Sequence, residues 1–450
     1  MPKAYIDMSP APQLQGPNRD DQDDKSQRTS QYQRRRPLKN INRLQAGIQE
    51  FLGNASSQSL LLELNIPNEE IQSALPKRFM VYEPLLLLPA NAFQTPPAWG
   101  AFYAALTTDQ RGALYASIAE ACRCLGVTHI AINAPIALTN AQGQENRMRS
   151  PVGLIPLYGD FGAPSSASAI GSEDAQPSPA DFAHAFWVRT IQNHGIVQVW
   201  APFYTMFSRG NVKEKARILG LGPSERSFAG LDDHTLGQKV SEISVVDMYA
   251  GIGYFVFSYL RRGVKRVWGW ELNGWSVEGL RRGCEANGWQ CKVLHVQESG
   301  QPVALIEAFV ECLTEADRVV IFQGDNRLAA EVMAKVRQLM ETRGTWSPVR
   351  HVNLGLLPSS QPSWDNACRV LDLHQGGWLH VHENVDMRDI KQKKDGILKE
   401  LAKLRSIVHE EHAILNDPTV RCGLVENVKT YAPGVMHCVF DVQISSFKTN

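Results

Sequence analysis

The chain has no long apolar run. Nowhere do about 18 uninterrupted apolar residues occur, so no membrane-spanning helix is expected. The opening stretch "MPKAYIDMSPAPQLQGPNRDDQDD" lacks the apolar core of a secretion signal. Net charge is missing as well, with Lys+Arg and Asp+Glu at 46 each. A protein that grips a long nucleic acid through its overall field is usually basic, so a polyanionic partner would have to meet local patches. The eight cysteines are scattered. Cys122 and Cys124 form the closest pair, with no second pair at zinc-site spacing, which reads as reduced thiols in an intracellular, cytoplasmic protein. His380 and His382 stand i, i+2 on a strand candidate and point the same way, but no third ligand lies nearby in sequence. Core or surface histidines are the favoured reading, and neither a metal site nor a catalytic triad is expected.

What is present is enough chain for two or three domains, 450 residues with 43% apolar. Residues 1–44 are rich in Gln, Asp, Arg, Ser and Pro and read as a disordered polar arm. It holds "RRRPLK", Arg34 to Lys39, which is either a solvated charged tail or a phosphate contact. Residues 45–162 read as a small N-terminal α/β module. "RFMVYEPLLLL" (79–89) and "THIAINAPI" are strand candidates, and Leu114, Ile118, Ala121 and Leu125 lie at helical spacing before Gly126. Residues 163–185 form a low-complexity loop or linker. From 186 to 450 helical periods come to alternate with strand candidates at 243–249, 266–271, 318–323, 349–356, 377–383, 419–427 and 436–445. That alternation predicts an open, mostly parallel sheet with helices on both faces. "KTYAPGVMH" joins the last two candidates as a hairpin, so the final strand should be antiparallel. Seven strands ending this way suit the class I methyltransferase version of the Rossmann-like fold. The extra candidate at 291–297 is either the third strand or part of an insertion.

The chemistry starts at "VVDMYAGIGYF", Val245 to Phe255. Apolar residues and Asp247 lead into a turn with Gly251 and Gly253, a G-x-G lacking the third glycine of the dinucleotide fingerprint. Alone it is a cofactor turn or a bare tight turn. Glu271 closes the next strand, twenty residues after Gly251. A carboxylate there can accept both hydroxyls of a ribose; the other reading is a surface acid at a strand end. Together they imply a nucleoside-containing cofactor across the carboxyl ends of the strands. "FQGDNR" repeats the pattern: Asp325 suits an adenine amino group and Asn326 a ring nitrogen, though both residue types also cap helices. In "NLGLLPSS", Asn353 offers a donor and an acceptor to a planar base, and Gly355 removes bulk where substrate must approach. The same stretch also reads as a plain strand–turn–helix junction. In "FSRGNVKEK", Phe207 could cover a base, Ser208 could bond to the cofactor, and Lys215 could pair with a carboxylate. Asn211 and Glu214 there resemble a capping box, and the plain reading is a capped surface helix.

"FYTMFSRGNVKEK", "DMYAGIGYF", "GWELN", "FQGDNR", "NLGLLPSS" and "GWLHVHENV" together resemble the tRNA wybutosine-synthesizing aminocarboxypropyltransferases, of fungal type, relatives of the tRNA guanine-N1 methyltransferases. The resemblance covers about 190 to 450 and extends weakly into the N-terminal module. It implies S-adenosyl-L-methionine as cofactor and a class I, Rossmann-like catalytic domain. It also implies transfer of the 3-amino-3-carboxypropyl group to a tricyclic guanosine next to the anticodon of phenylalanine tRNA, leaving methylthioadenosine. Ser208, Lys215, Glu271, Asp325 and Asn326 fall on the family's cofactor-binding positions. "FQGDNR" takes the third-strand place, so 288–316 looks like an insertion. The related methyltransferases resemble N-x-P where this chain has Gly355 and delays proline to Pro358, which suggests a roomier floor. No general base declares itself; Asn353 could orient the base, and Asp247 could support the turn or touch the cofactor's amino group. Basic patches at Arg261, Arg262, Lys265 and Arg266, at Arg281 and Arg282, and at 391–394 are solvated faces or tRNA contacts. The competing readings are a tRNA guanine-N1 methyltransferase and a non-catalytic RNA-binding protein.

Overall fold

Strand Ser244–Asp247 is buried at every position, and Val245 and Val246 point to opposite faces. A strand of that kind must be covered on both sides, which places it inside a helix-sheathed parallel sheet. The computed structural model of the chain describes residues 42–133, 146, 154–162, 176–192, 194–205, 207, 211–221, 227–297, 299, 303–414 and 417–445.

The described strands run β1 Met80–Tyr82, β2 Leu85–Leu88, β3 His129–Ile132, β4 Ile155–Tyr158, β5 Val188–Gln192, β6 Ile196–Trp200, β7 Ser244–Asp247, β8 Arg266–Glu271, β9 Gln290–His295, β10 Asp317–Gln323, β11 Val349–Leu354, β12 Gly377–Asp386, β13 Thr419–Ala432 and β14 Val435–Ser445. The main sheet has eight strands in the order β13-β14-β12-β11-β7-β8-β10-β9. Pairs from β9 to β12 are parallel, and β14 is antiparallel to both β12 and β13. The sheet therefore carries one strand more than the seven expected. β10, which leads into "FQGDNR", does pair with β8 in the third-strand place. The extra strand comes from 288–316, where β9 adds to the open edge of β10 and helix Val303–Glu311 returns the chain. β9 alternates exposed and half-buried positions, as an edge strand does.

Alternate residues of the central strands feed two cores. Val246, Trp268, Val320, Phe322 and Leu379 meet helices Ala329–Thr342, Trp364–Val370 and Ile390–Glu411. Val245, Val267, Val319 and Ile321 meet helices Val256–Arg262 and Gly274–Ala286. Strand order reverses at β7, with β8 on one side and β11 on the other. The crevice at the carboxyl ends of β7 and β11 is thus the topological switch point, where sheets of this kind bind ligands.

The segment 79–89 is two strands rather than one: β1 and β2 pair antiparallel around Glu83 and Pro84. Proline lacks the N–H a continuous ladder would need there. β2 pairs parallel with β3, and β4 closes this four-stranded sheet. β5 and β6 make a separate antiparallel ribbon. Tyr82, Leu85, Leu87, Ala131, Trp200 and Ile252 share one core, so the smaller sheet and the ribbon pack directly against the glycine turn.

Candidate cofactor and acceptor site

The turn after β7 is built by its glycines. Gly251 has φ 55° and Gly253 φ 88°, a left-handed backbone that L side chains rarely adopt. A Cβ on Gly253 would come within 2.6 Å of Leu280 and of the Phe257 ring. The turn is tied to the next strand by a carboxylate. Glu271 Oε2 accepts from the Gly251 N–H at 2.8 Å, and its Oε1 from the Asn273 N–H at 2.9 Å. Glu271 therefore fixes both the turn and the start of the next helix.

Asp247 and Asn353 are register partners on β7 and β11, at the switch point. Asn353 Nδ2 donates to Asp247 Oδ1 at 3.0 Å, and the Tyr249 N–H donates to the same oxygen at 3.2 Å. Oδ2 of Asp247 is buried without a partner among the described residues. Burial pushes the Asp247 carboxyl up to about 6; the Asn353 and Tyr249 bonds oppose that, and the nearby Glu271 charge adds to it. Gly355 lies beside this pair: a Cβ there would stand 3.2 Å from Asn353 Nδ2 and 3.4 Å from the Phe255 ring.

Lys215 comes from helix Val212–Ile218 and is 4% exposed. Its ammonium lies 5.3 Å from the centre of the Tyr254 ring, itself part of the glycine turn, and burial pulls its pKa down to about 8. Asn326 donates from Nδ2 to the Met248 carbonyl at 2.8 Å, clipping the other end of the turn. Asp325 accepts from the Arg327 N–H and from Arg327 Nε, both at 2.9 Å, so it caps the short turn that follows β10. Asp247, Gly251, Gly253, Lys215, Glu271, Asn326 and Asn353 thus converge on the turn at 248–255, with Asp325 following the β10 end that pairs with Glu271. Ser208 and the Arg34 to Lys39 stretch lie outside the described residues.

Several expectations are corrected. Asn211 sits in the left-handed region with no side-chain cap bond, so it makes no capping box; Glu214 bonds Arg217 instead. Phe207 stacks on Trp200 at 4.8 Å and meets Tyr82 edge-on, so its face is taken up by the aromatic core. Arg266 is buried and donates to the Asp317 and Thr314 carbonyls. Arg281 and Arg282 both bind Glu278 at 2.7 Å, and Lys393 binds buried Glu383 at 2.8 Å. Arg266 is thereby removed from the basic patch, whereas Arg281, Arg282 and Lys393 keep 43%, 30% and 34% of their side chains exposed. His380 and His382 are core residues, facing Asp441 and His437. Among the described residues no group of three His, Cys, Asp or Glu could hold a metal ion. None of their helices is long and apolar enough to cross a membrane. Tyr254 and Asn273 were not singled out in the sequence. Both lie inside quoted motifs, but their roles depend on partners far along the chain, as in the Asn273 Nδ2 bond to the Tyr204 carbonyl.

The strand order, the glycine turn and the acid at the second strand's end define a class I, Rossmann-like fold of the kind that binds a nucleoside-containing cofactor. No protein-family model matches the chain. tRNA wybutosine-synthesizing protein 2 of Schizosaccharomyces pombe is 37% identical over 375 residues, covering 83% of this chain and 74% of that protein. Its Saccharomyces cerevisiae counterpart is 32% identical over 333 residues, covering 71% and 60%. The chain belongs to the tRNA wybutosine-synthesizing protein 2 family. The crystal structure of P. horikoshii TYW2 in complex with MeSAdo aligns over 87% of this chain and 99% of that one, with TM-score 0.47 and 17% identity.

The orphaned Asp247 oxygen gives a stability prediction with a definite sign. A carboxyl whose folded pKa is about 6 lies above its unfolded value of about 4, so the folded state binds more protons between those limits. Its contribution to stability therefore falls as pH rises from about 4 to about 6, and the full penalty, up to about 3 kcal/mol, stands above pH 6. Asp247→Asn keeps the shape and removes the charge. The cofactor-free variant should melt a few degrees above wild type at pH 8 and show no gain below pH 4, in thermal scans across pH. An unchanged melting temperature at pH 8 would show that the carboxylate is solvated.

Proposed function

We propose that the chain transfers the 3-amino-3-carboxypropyl group of S-adenosyl-L-methionine to the tricyclic wybutosine precursor next to the anticodon of phenylalanine tRNA, releasing methylthioadenosine. The observation that carries the reading is the buried, unpartnered Oδ2 of Asp247 at the switch point. A buried carboxylate oxygen without a partner suits an ammonium, and Lys215 beside the Tyr254 ring of the turn suits a carboxylate. Together they complement the amino-acid arm of the cofactor, while Glu271 suits its ribose and Asp325 with Asn326 its adenine.

When bound, the cofactor supplies a sulfonium, already a strong leaving group. The protein's task is then mostly alignment. Asn353, its Nδ2 fixed on Asp247, keeps a carboxamide oxygen that suits a base edge as an acceptor. Gly355 puts no side chain beside it, where a Cβ would stand 3.2 Å from Asn353 Nδ2 and 3.4 Å from the Phe255 ring. The small N-terminal sheet, packed on the glycine turn through Ile252, is suited to extend the tRNA contact beyond the anticodon. Binding should weaken steeply with salt if several patches act together.

The test is to incubate the chain with cofactor and tRNA carrying the tricyclic precursor and identify the small by-product. Methylthioadenosine is expected. S-adenosylhomocysteine would overturn the reading in favour of methyl transfer, and neither product would leave a binding protein. Lys215→Ala should weaken cofactor binding by about 10- to 100-fold, as loss of a charge-assisted bond does, with tRNA affinity unchanged. Because the Lys215 pKa is pulled down to about 8, wild-type cofactor affinity should fall as pH rises through that value. The cofactor's own α-amino group titrates in about the same range, so the informative result is a shallower fall in Lys215→Ala. An identical pH profile would remove Lys215 from the site.

A further inference from the structure

A buried polar chain crosses the sheet beneath helix Val212–Ile218. The Gly230 carbonyl faces His351 Nε2 at 2.8 Å, His351 Nδ1 faces His380 Nε2 at 3.0 Å, and His380 Nδ1 faces Asp441 Oδ1 at 2.7 Å. Asp441 also takes the Arg217 guanidinium, whose Nη2 lies 3.1 Å from Oδ1 and whose Nη1 meets Oδ2. Arg217 in turn donates to both oxygens of Glu214, at 3.0 and 2.7 Å. His351, His380, Asp441, Arg217 and Glu214 are each 3% exposed or less.

The ends of the chain set its proton count. A carbonyl at one end and a carboxylate at the other can only accept. Three contacts lie between them, and each needs one hydrogen. Two neutral imidazoles bring one N–H each, so one contact would be left with two facing lone pairs. One further proton, held between His380 and Asp441, completes all three. It also suits the charge, since Asp441 and Glu214, whose carboxyl burial pushes up to about 7, share the single positive charge of Arg217. The other groups facing the cluster act in both directions. Glu426 on β13 adds negative charge, whereas Arg350 on β11 adds positive charge. Burial holds the His380 pKa below its ordinary value although the Asp441 contact opposes it, and, against burial, the His380 and Arg217 contacts hold the Asp441 carboxyl well below the usual range, so the hydrogen-bond geometry is what calls for the extra proton. Buried His382 and the buried Tyr259 phenol complete the surroundings. Phe228 closes the cluster from solvent, its ring 4.7 Å from the Arg217 guanidinium carbon and 4.1 Å from the His380 ring.

The cluster holds an element that would not hold itself. Helix Val212–Ile218 has seven residues and no side-chain cap at its start. A helix that short depends on tertiary contacts. It carries Glu214 and Arg217 inward, and Lys215 between them reaches the Tyr254 ring of the glycine turn. We infer that His380 and Asp441 are positioning residues for Lys215, joined to it through Arg217 by a buried chain that holds one proton beyond those of two neutral imidazoles. The inference rests on the proposal that Lys215 faces the cofactor's carboxylate.

Two measurements test it on the full chain. In cofactor-free protein at pH 7, NMR with labelled histidine should resolve three slowly exchanging protons along the chain from Gly230 to Asp441. In Asp441→Asn, where the new amide can donate to His380, only two should remain on imidazole nitrogens. Two in wild type would overturn the proton count. Second, equilibrium dialysis with S-adenosylmethionine should show about tenfold weaker binding for Asp441→Asn, with tRNA affinity within twofold of wild type. In a Lys215→Ala background the same substitution should add less than twofold, because its effect passes through Lys215. Additive losses would reduce the cluster to a structural support. Arg217→Lys, which keeps the charge but loses the fork, should follow the same pattern more weakly and serves if Asp441→Asn does not fold. Failure of wild type to bind the cofactor at all would overturn the proposed function and leave the proton count to the NMR result.

Discussion

Replacing Glu271 by glutamine should weaken S-adenosylmethionine binding about 100-fold or more, close to the effect of alanine, although the two side chains have the same shape. Both carboxylate oxygens already accept a backbone N–H, one from Gly251 and one from Asn273. An amide has a single oxygen. Whichever way it is set, its NH2 points at one of those N–H groups, so either the turn or the start of the next helix loses its anchor. The amide also removes the charge that strengthens hydrogen bonds to a ribose diol. Losing two bonds to a charged acceptor, at roughly 1.5–3 kcal/mol each, gives a factor of 10² to 10⁴. Equilibrium dialysis checks the affinity. A 2′-deoxy cofactor separates the two causes: it should bind wild type more weakly than the normal cofactor, and its smaller further loss in Glu271→Gln reads the share due to the broken anchor alone. A loss under tenfold in the variant would mean that Glu271 serves the turn without touching the ribose.

The anchoring of the turn was not legible in the sequence. The spacing of Glu271 from the glycines reads as that of a ribose ligand, and nothing in the spacing announces that it holds Gly251. The same limit runs through the fold. The central strands could be read because both of their faces are buried, which writes an unbroken apolar run between polar turns. β9 was harder, since an edge strand with one half-exposed face writes a weak pattern. One arginine was misread for a related reason. Arg266, at the start of β8, looks like part of a basic surface run, yet its partners are carbonyls at Thr314 and Asp317, about fifty positions away. The sequence leaves His380 and His382 as core or surface residues; the structure puts both in the core, and the chain from Gly230 to Asp441 joins four separate segments with no sequence period at all. Local chemistry is written locally; a buried network is written only in three dimensions.

Proline at position 355 should change which carbon of the cofactor is given away. The resemblance to tRNA guanine-N1 methyltransferases assigns them a proline two residues after the asparagine, where this chain has Gly355. Here the space above Gly355 is narrow on two sides, 3.2 Å from Asn353 Nδ2 and 3.4 Å from Phe255. A proline ring there must push the carboxamide or the phenyl ring, and Asn353 is already committed to Asp247. Leu354 before it lies in a strand, a conformation that a following proline favours, so the backbone tolerates the change. The ring would fill floor that the amino-acid arm needs in order to turn toward the acceptor, and the smaller methyl group would be left as the part that fits. Near-attack geometry is strict enough that a 1 Å misplacement costs about 100-fold in rate. Gly355→Pro is therefore expected to lower methylthioadenosine release by about 100-fold and to raise the share of S-adenosylhomocysteine, both read from the by-products of one reaction. Cofactor affinity should change less than tenfold, because Glu271 and Lys215, the groups proposed to hold the nucleoside and the carboxylate, lie on other elements. Unchanged rate and unchanged product would show that the end of β11 does not choose the carbon. An equal fall in cofactor affinity and rate would show that the ring had only broken the Asn353–Asp247 pair.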